Sequence, residues 1–271
     1  MKVETASGDV GPLPNGKILR VFSLGFDRVA ADLFWIRTVY YMGDEHSTAA
    51  GYPAAERLAE LVTDIDPTFQ TVYIVMGSGL EGLVGDPAAG RRLLEKGIRN
   101  LSYWKLNFLL GFNYFFHEQD YANAAEQMRL AAEQPGSPPY LPLLVTRLYA
   151  AAGEPQTAML LVRARLENSR DVQEREALQE RYRDLWIHRD LALIDAAIAQ
   201  LKAKTGRTPV KVTELLSAGL LAAEPVDPRG GKYEIRDGHA ACLVPHEKLK
   251  IKLGGLKPSP KKPPVTEERK P

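Results

Sequence analysis

The sequence predicts a mostly α-helical protein: a solenoid of about four helical hairpins, a long capping helix, and a small C-terminal α/β element. Three observations predict it. The stretch from Trp104 to Pro135 reads as an aromatic-rich helix, a turn at Asp120-Tyr121, and an alanine-rich helix stopped by proline. Displaced by 34 residues, its landmarks recur: Gly111 falls on Gly77 and then Gly43, and Asp120-Tyr121 falls on Asp86-Pro87 upstream and Glu154-Pro155 downstream. Self-similarity at such a period marks stacked helix–turn–helix units, none of which buries its apolar face alone. After Lys204 the composition changes, and Lys232–Arg236 and Ala240–Val244 flank Asp237-Gly238 as a β-hairpin.

Taken in order, residues 1–20 are rich in Gly, Pro and polar side chains and are expected to be loose. Residues 21–169 carry the repeats. From Ser23 the spacing turns helical, with Phe26, Val29, Ala30, Leu33, Phe34, Ile36 and Tyr40 in one apolar stripe. Gly43 to Gly51 is small and polar and reads as a loop; Pro53 opens a helix that closes at Asp64-Ile65-Asp66-Pro67. Helices then follow over Thr68–Leu83, Pro87–Asn100, Trp104–His117, Tyr121–Glu133, Pro138–Ala152 and Pro155–Asn168. Each second helix opens with Pro or an aromatic just after an acidic or glycine residue, where a helix start tolerates it. Residues 170–204 form one long helix or two, with Leu178, Tyr182, Leu185, Leu191, Ile194 and Ile198 along one side. Residues 205–253 hold a short helix, Val212–Leu221, and the hairpin. The Pro- and Lys-rich tail, 254–271, lacks the apolar content to fold.

Composition narrows function. The 271 residues are 45% apolar, enough for a substantial core. Lys+Arg 35 against Asp+Glu 34 leaves no global field to attract nucleic acid. The single cysteine, Cys242, excludes an internal disulfide, and no Cys/His cluster has zinc spacing. No apolar run approaches the ~18 residues that would span a bilayer, and the N-terminus as written lacks the features of a signal peptide. Contact of the basic tail with an acidic lipid or protein surface stays open.

One stretch imitates a cofactor site. Val72–Met76 leads into Gly77-Ser78-Gly79-Leu80-Glu81-Gly82, the G-x-G-x-x-G of a dinucleotide-binding turn. That design needs several helical turns after the glycines, and Asp86-Pro87 interrupts. Gly77 also sits in period with Gly43 and Gly111, so close helix packing explains it better. His46, His117, His188, His239 and His246 show no paired metal spacing and are assigned surface or capping roles; Asp64 and Asp66 are assigned to a turn. The expectation is no enzyme and no cofactor.

Gly111-x-x-Tyr114, followed by Ala124, Met128, Ala131 and Pro135, resembles the tetratricopeptide repeat; the likeness is good in this unit and partial in its neighbours, where Gly90, Gly97 and Leu101 depart from it one unit earlier. The resemblance covers roughly residues 23–169 and implies a scaffold that binds another protein in a groove. It places Lys105, Phe112, Phe115 and Phe116 on the groove-lining face, with Thr71, Ser78 and Glu81 one repeat earlier and Thr146 and Tyr149 one later. The same rings also suit an ordinary inter-repeat core. Ile198-x-x-Leu201, Thr205-Gly206-Arg207-x-Pro209 and Pro225-x-Asp227-Pro228-x-Gly230-Gly231-x-Tyr233 resemble the globular part of type II secretion pseudopilins, without their N-terminal apolar helix. This implies a bacterial protein on the extracytoplasmic side of the envelope, a cytoplasmic location being the alternative. The expected function is a non-catalytic protein-binding scaffold. A permanently bound structural subunit and a dinucleotide-dependent enzyme using Gly77–Gly82 are the alternatives.

Overall fold

The computed structural model describes residues 10–244. Among them are twelve α-helices, one π-helical turn and one two-stranded antiparallel sheet, so the chain is mostly α with a small C-terminal β element. The tail expected at 254–271 lies outside the described residues. Two compact units are formed, one up to Leu141 and one from Pro142.

The first unit opens with α1 (Gly16–Phe22), which begins within the segment expected to be loose and runs past its end; Asn15 caps it by accepting a hydrogen bond from Ile18 N. Helix α2 (Asp27–Gly43) follows, and the expected polar loop contains a short helix, α3 (Glu45–Ala49), capped by Asp44. Next come α4 (Ala55–Ile65), α5 (Gln70–Gly82), α6 (Pro87–Asn100), α7 (Trp104–Asn113), a π turn (Tyr114–Glu118) and α8 (Tyr121–Ala132). Helix starts keep the 34-residue step: Gln70 and Trp104 for α5 and α7, Pro87 and Tyr121 for α6 and α8. The acidic residues ahead of the second helices act as caps, Asp86 accepting from Ala89 N and Asp120 from Asn123 N.

Neighbouring helices pack around Leu58, Ile65, Tyr73, Met76, Leu80, Leu94 and Leu106, all shielded from solvent. Close approach is achieved with small residues. A Cβ on Gly90 of α6 would stand 2.5 Å from the Gly77 carbonyl oxygen of α5, and one on Gly111 of α7 would stand 2.7 Å from Met128 Cγ of α8. Gly79 and Gly82 differ: their Cβ positions meet nothing within 4 Å, so close packing accounts for Gly77 and not for them. Gly77, Gly79 and Gly82 all lie within helix α5, a conformation other than the loop in which a phosphate-binding turn presents its amides.

The expected apolar stripe of α2 faces the wrong way to be core. Ala31, Thr38 and Tyr41 are buried and Phe34 and Trp35 half-buried, while Phe26, Val29, Leu33, Ile36 and Tyr40 are exposed. A helix apolar on both sides does not reveal by periodicity which side packs. Partners decide it: Trp35 meets Phe69 edge-on at 6.1 Å, and the Tyr41 hydroxyl accepts from Ala54 N at 3.0 Å.

In the second unit, α9 (Leu141–Ala151) and α10 (Pro155–Asn168) precede a single helix of 34 residues, α11 (Val172–Thr205). Asp171 caps it, and Gly206 ends it at φ 72°. Its C-terminal half forms a small core with α12 (Val212–Ser217) and the hairpin of β1 (Tyr233–Arg236) and β2 (His239–Cys242): Ile187, Ile194 and Ile198 pack with Val212, Leu215 and Tyr233. Asp237 and Gly238 both take positive φ, as a two-residue hairpin turn requires. Buried carboxylates tie the parts together. Asp190 of α11 accepts from the Tyr233 hydroxyl at 3.2 Å and the Trp186 indole at 3.1 Å. Asp227 accepts from Arg229 N and from Cys242 Sγ at 3.1 Å. Burial and the neighbouring Asp227 push the Cys242 thiol up to about 11.

Two outcomes follow from this packing. Gly90→Ala is expected to destabilise by about 1–3 kcal/mol because backbone cannot yield, whereas Gly79→Ala, in open space within a helix, is expected to be neutral or stabilising by up to ~1 kcal/mol; urea unfolding of the two variants measures both. Because the Cys242 thiolate is disfavoured in the fold, its contribution to stability is complete below pH ~9 and declines as pH rises toward 11. Iodoacetamide at pH 8 should therefore alkylate the native protein at least ~10-fold more slowly than the urea-unfolded chain. Equal rates would contradict the buried thiol.

Candidate binding surface

The aromatic run at the end of α7 governs this surface. Continued α-helix would alternate Tyr114, Phe115, Phe116 and His117 between core and solvent. Instead the turn widens to a π-helix, the Gln119 amide donates to the Tyr114 carbonyl, and all four rings are half-buried. Gln119 then takes φ 54°, and Asp120 starts the next helix.

Phe112 and Phe116 stack with ring centres 5.6 Å apart and planes 8° from parallel. Phe115 leans on Phe112 at 6.4 Å and on Tyr121 at 6.0 Å. Phe116 meets His117 edge-on at 5.0 Å. Phe112 is 40% exposed, so the stack presents an apolar edge to solvent. Further along α7, Lys105 is half-buried; Thr71 and Ser78, one period earlier on α5, are exposed. The aromatic cluster offers an apolar edge to apolar or cationic side chains.

Three of the residues expected in the groove are placed otherwise. Glu81 is buried: its side chain lies beside Gly90 and pairs with His117, Nε2 to Oε2, at 3.3 Å. Burial pushes the Glu81 carboxyl up, opposed by hydrogen bonding from Asn113 and attraction to His117. His117 is thus a packed partner of a carboxylate, not the surface or capping residue expected. Thr146 and Tyr149 are buried within the second unit, and the Thr146 hydroxyl donates to the Leu143 carbonyl. Thr71, Ser78, Lys105, Phe112, Phe115 and Phe116 keep at least partial access to solvent.

Sequence reasoning missed the Glu81–His117 pair and the Arg91 guanidinium, which pairs with Glu118 and lies 5.6 Å from the Tyr114 ring centre. The signal was available in part: four ring-bearing residues in succession do not fit one helical face. Asp64 and Asp66 are separated in role. Asp66 accepts from Thr68 N and Oγ1 in the turn, and Asp64 pairs with Lys96.

Among the described residues, no group of three His, Cys, Asp or Glu is arranged to hold a metal ion. No described helix is long and apolar enough to cross a membrane. No family model, curated protein or solved structure matches the chain.

Exposure separates the roles of these side chains. Phe112→Ser is expected to cost no more than ~1 kcal/mol in urea unfolding, because much of the ring is already in water. Glu81→Ala, which strips His117 of its buried partner and leaves a void against Gly90, is expected to cost about 2 kcal/mol or more.

Proposed function

We propose that this protein is a non-catalytic scaffold of the tetratricopeptide type, an α-solenoid whose exposed first-helix face binds a segment of another protein. The half-exposed aromatic strip of Phe112, Phe115 and Phe116 carries the proposal, because a monomeric surface seldom keeps stacked rings open to solvent without a use for them. Paired helices that start at 34-residue steps and meet through small residues support the repeat reading. Thr71, Ser78 and Lys105 provide polar positions along the same strip, suited to the hydrogen bonds of an extended peptide or the flank of an amphipathic helix.

The setting is a bacterial envelope assembly. The segment from Pro225 to Tyr233, which resembles the pseudopilin globular part, supports this reading. In it, Asp227 organises the turn and Tyr233 anchors the hairpin to Asp190. An enzymatic reading through Gly77–Gly82 is not favoured, since those residues are helical.

Cross-linking and affinity purification from bacterial envelope fractions tests the proposal when wild type is compared with Phe112→Ser/Phe116→Ser. A partner retained by wild type is expected to be lost, or weakened by ~2 kcal/mol or more, in the double variant. Retention by both proteins would remove the aromatic strip as the binding site.

A further inference from the structure

The outward face of α2 has a periodicity that its own fold does not use. Phe26, at the N-terminal cap of the helix, and then Val29, Leu33, Ile36 and Tyr40 are spaced by three, four, three and four residues. These are the a and d positions of two heptads, and the five side chains are between 51% and 77% exposed. The opposite f positions, Ala31 and Thr38, are buried against the first unit's core. Beside the seam lies an open apolar depression of about 390 Å³ lined by Trp35, Ile36, Val39, Tyr40 and Gly43.

Charge selects the occupant. On this heptad frame Asp32 takes a g position and Arg37 the e position five residues later. In a parallel two-stranded coiled coil those positions face each other across the seam, g of one helix to e of its partner. The face is therefore complementary to itself, with two Asp32–Arg37 pairs related by a two-fold axis. Both residues are exposed, and although the Arg37 Nη2 donates to the Val10 carbonyl, a guanidinium keeps further donors for a carboxylate. An antiparallel pairing would bring like positions together and leave Asp32 without a cation. An anionic bilayer is less well matched, because Asp32 sits beside the apolar strip. Phe34 and Trp35, at the b and c positions, are already packed against the core, so the a/d strip is the apolar side left open to a partner.

We propose that α2 pairs in parallel with α2 of a second copy of this chain, through the Phe26–Tyr40 seam and reciprocal Asp32–Arg37 bridges. Two such faces bring together on the order of 1,000 Å² of apolar surface, the lower bound for a specific interface. The helix is already ordered by its contacts within the first unit, so pairing need not nucleate it.

Sedimentation velocity of the full chain is expected to show a dimer that Leu33→Asp/Ile36→Asp abolishes, with thermal unfolding of the variant monitored to confirm that it folds. Asp32→Arg and Arg37→Asp are each expected to raise the dimer dissociation constant about tenfold or more. The two changes combined in one chain, or the two single variants mixed, should restore pairing. In a Cys242→Ser background, Tyr40→Cys, at one end of the seam, should form a covalent dimer under mild oxidation, because only a parallel pairing brings the two copies of that position together. Sedimentation as a monomer at on the order of 100 μM, a dimer that survives Leu33→Asp/Ile36→Asp, or failure of the charge exchange to rescue each overturns the proposal. A monomer that co-sediments with phosphatidylglycerol vesicles would instead reassign the face to lipid.

Discussion

The first unit depends on how closely its helices approach. Where α5 crosses α6, the Gly77 carbonyl oxygen would lie 2.5 Å from a Cβ placed on Gly90; where α7 crosses α8, a Cβ on Gly111 would lie 2.7 Å from Met128 Cγ and 3.0 Å from the Ala124 carbonyl oxygen. Glycine in a helix is unfavourable by ~1 kcal/mol relative to alanine, so each close crossing must recover that through packing. It does so by bringing Leu80, Leu94, Leu106 and Met128 into the shielded interior. The acidic caps at Asp86 and Asp120 set where the second helix of each pair begins, and hence which small residues meet.

The close crossings also account for the unusual polar interior. Glu81 lies beside Gly90, where a larger residue would displace it, and its carboxylate is buried with His117 and Asn113. A buried carboxyl group is costly unless it finds polar partners, and His117, in the π turn, is one. The same segment carries Phe116 stacked on Phe112, with Phe115 tilted against it, at the surface. Packing inside and exposure outside thus meet at one local irregularity. In the second unit, Asp190 and Asp227 play a comparable part. Asp190 accepts from Trp186 and Tyr233 and so ties the hairpin to α11, while Asp227 accepts from Arg229 N and Cys242 Sγ and ties its own turn to β2.

Helix α2 shows how an apolar sequence can serve two surfaces. One side, through Ala31, Phe34, Trp35, Thr38 and Tyr41, belongs to the core of its own chain. The other is apolar, repeats by heptads and carries compensating charges, features that solvent alone does not demand. The tetratricopeptide resemblance addresses the aromatic strip of α7 and has no bearing on this face. The chain therefore offers two distinct apolar surfaces, on α2 and on α7.

Much of the local architecture was legible in the sequence. The 34-residue period, the acidic caps before Pro87 and Tyr121, and the proline and glycine punctuation are local features, and the helices α5, α6, α8 and α10 begin within two residues of where they predict. The hairpin at Asp237-Gly238 was legible for the same reason: backbone conformation there follows from the turn residues themselves. What only the tertiary structure decided was which face of an element meets which neighbour. Periodicity marked α2 as amphipathic but could not distinguish its core side from its open side, because both are apolar. The tetratricopeptide resemblance, carried along by register, implied a groove position for Glu81, Thr146 and Tyr149, whereas burial depends on side-chain size across each crossing. The π turn was likewise hidden, since a register shift within a helix answers to packing on both sides of it. Local chemistry determined where elements start and stop; the contacts between them determined what each face does.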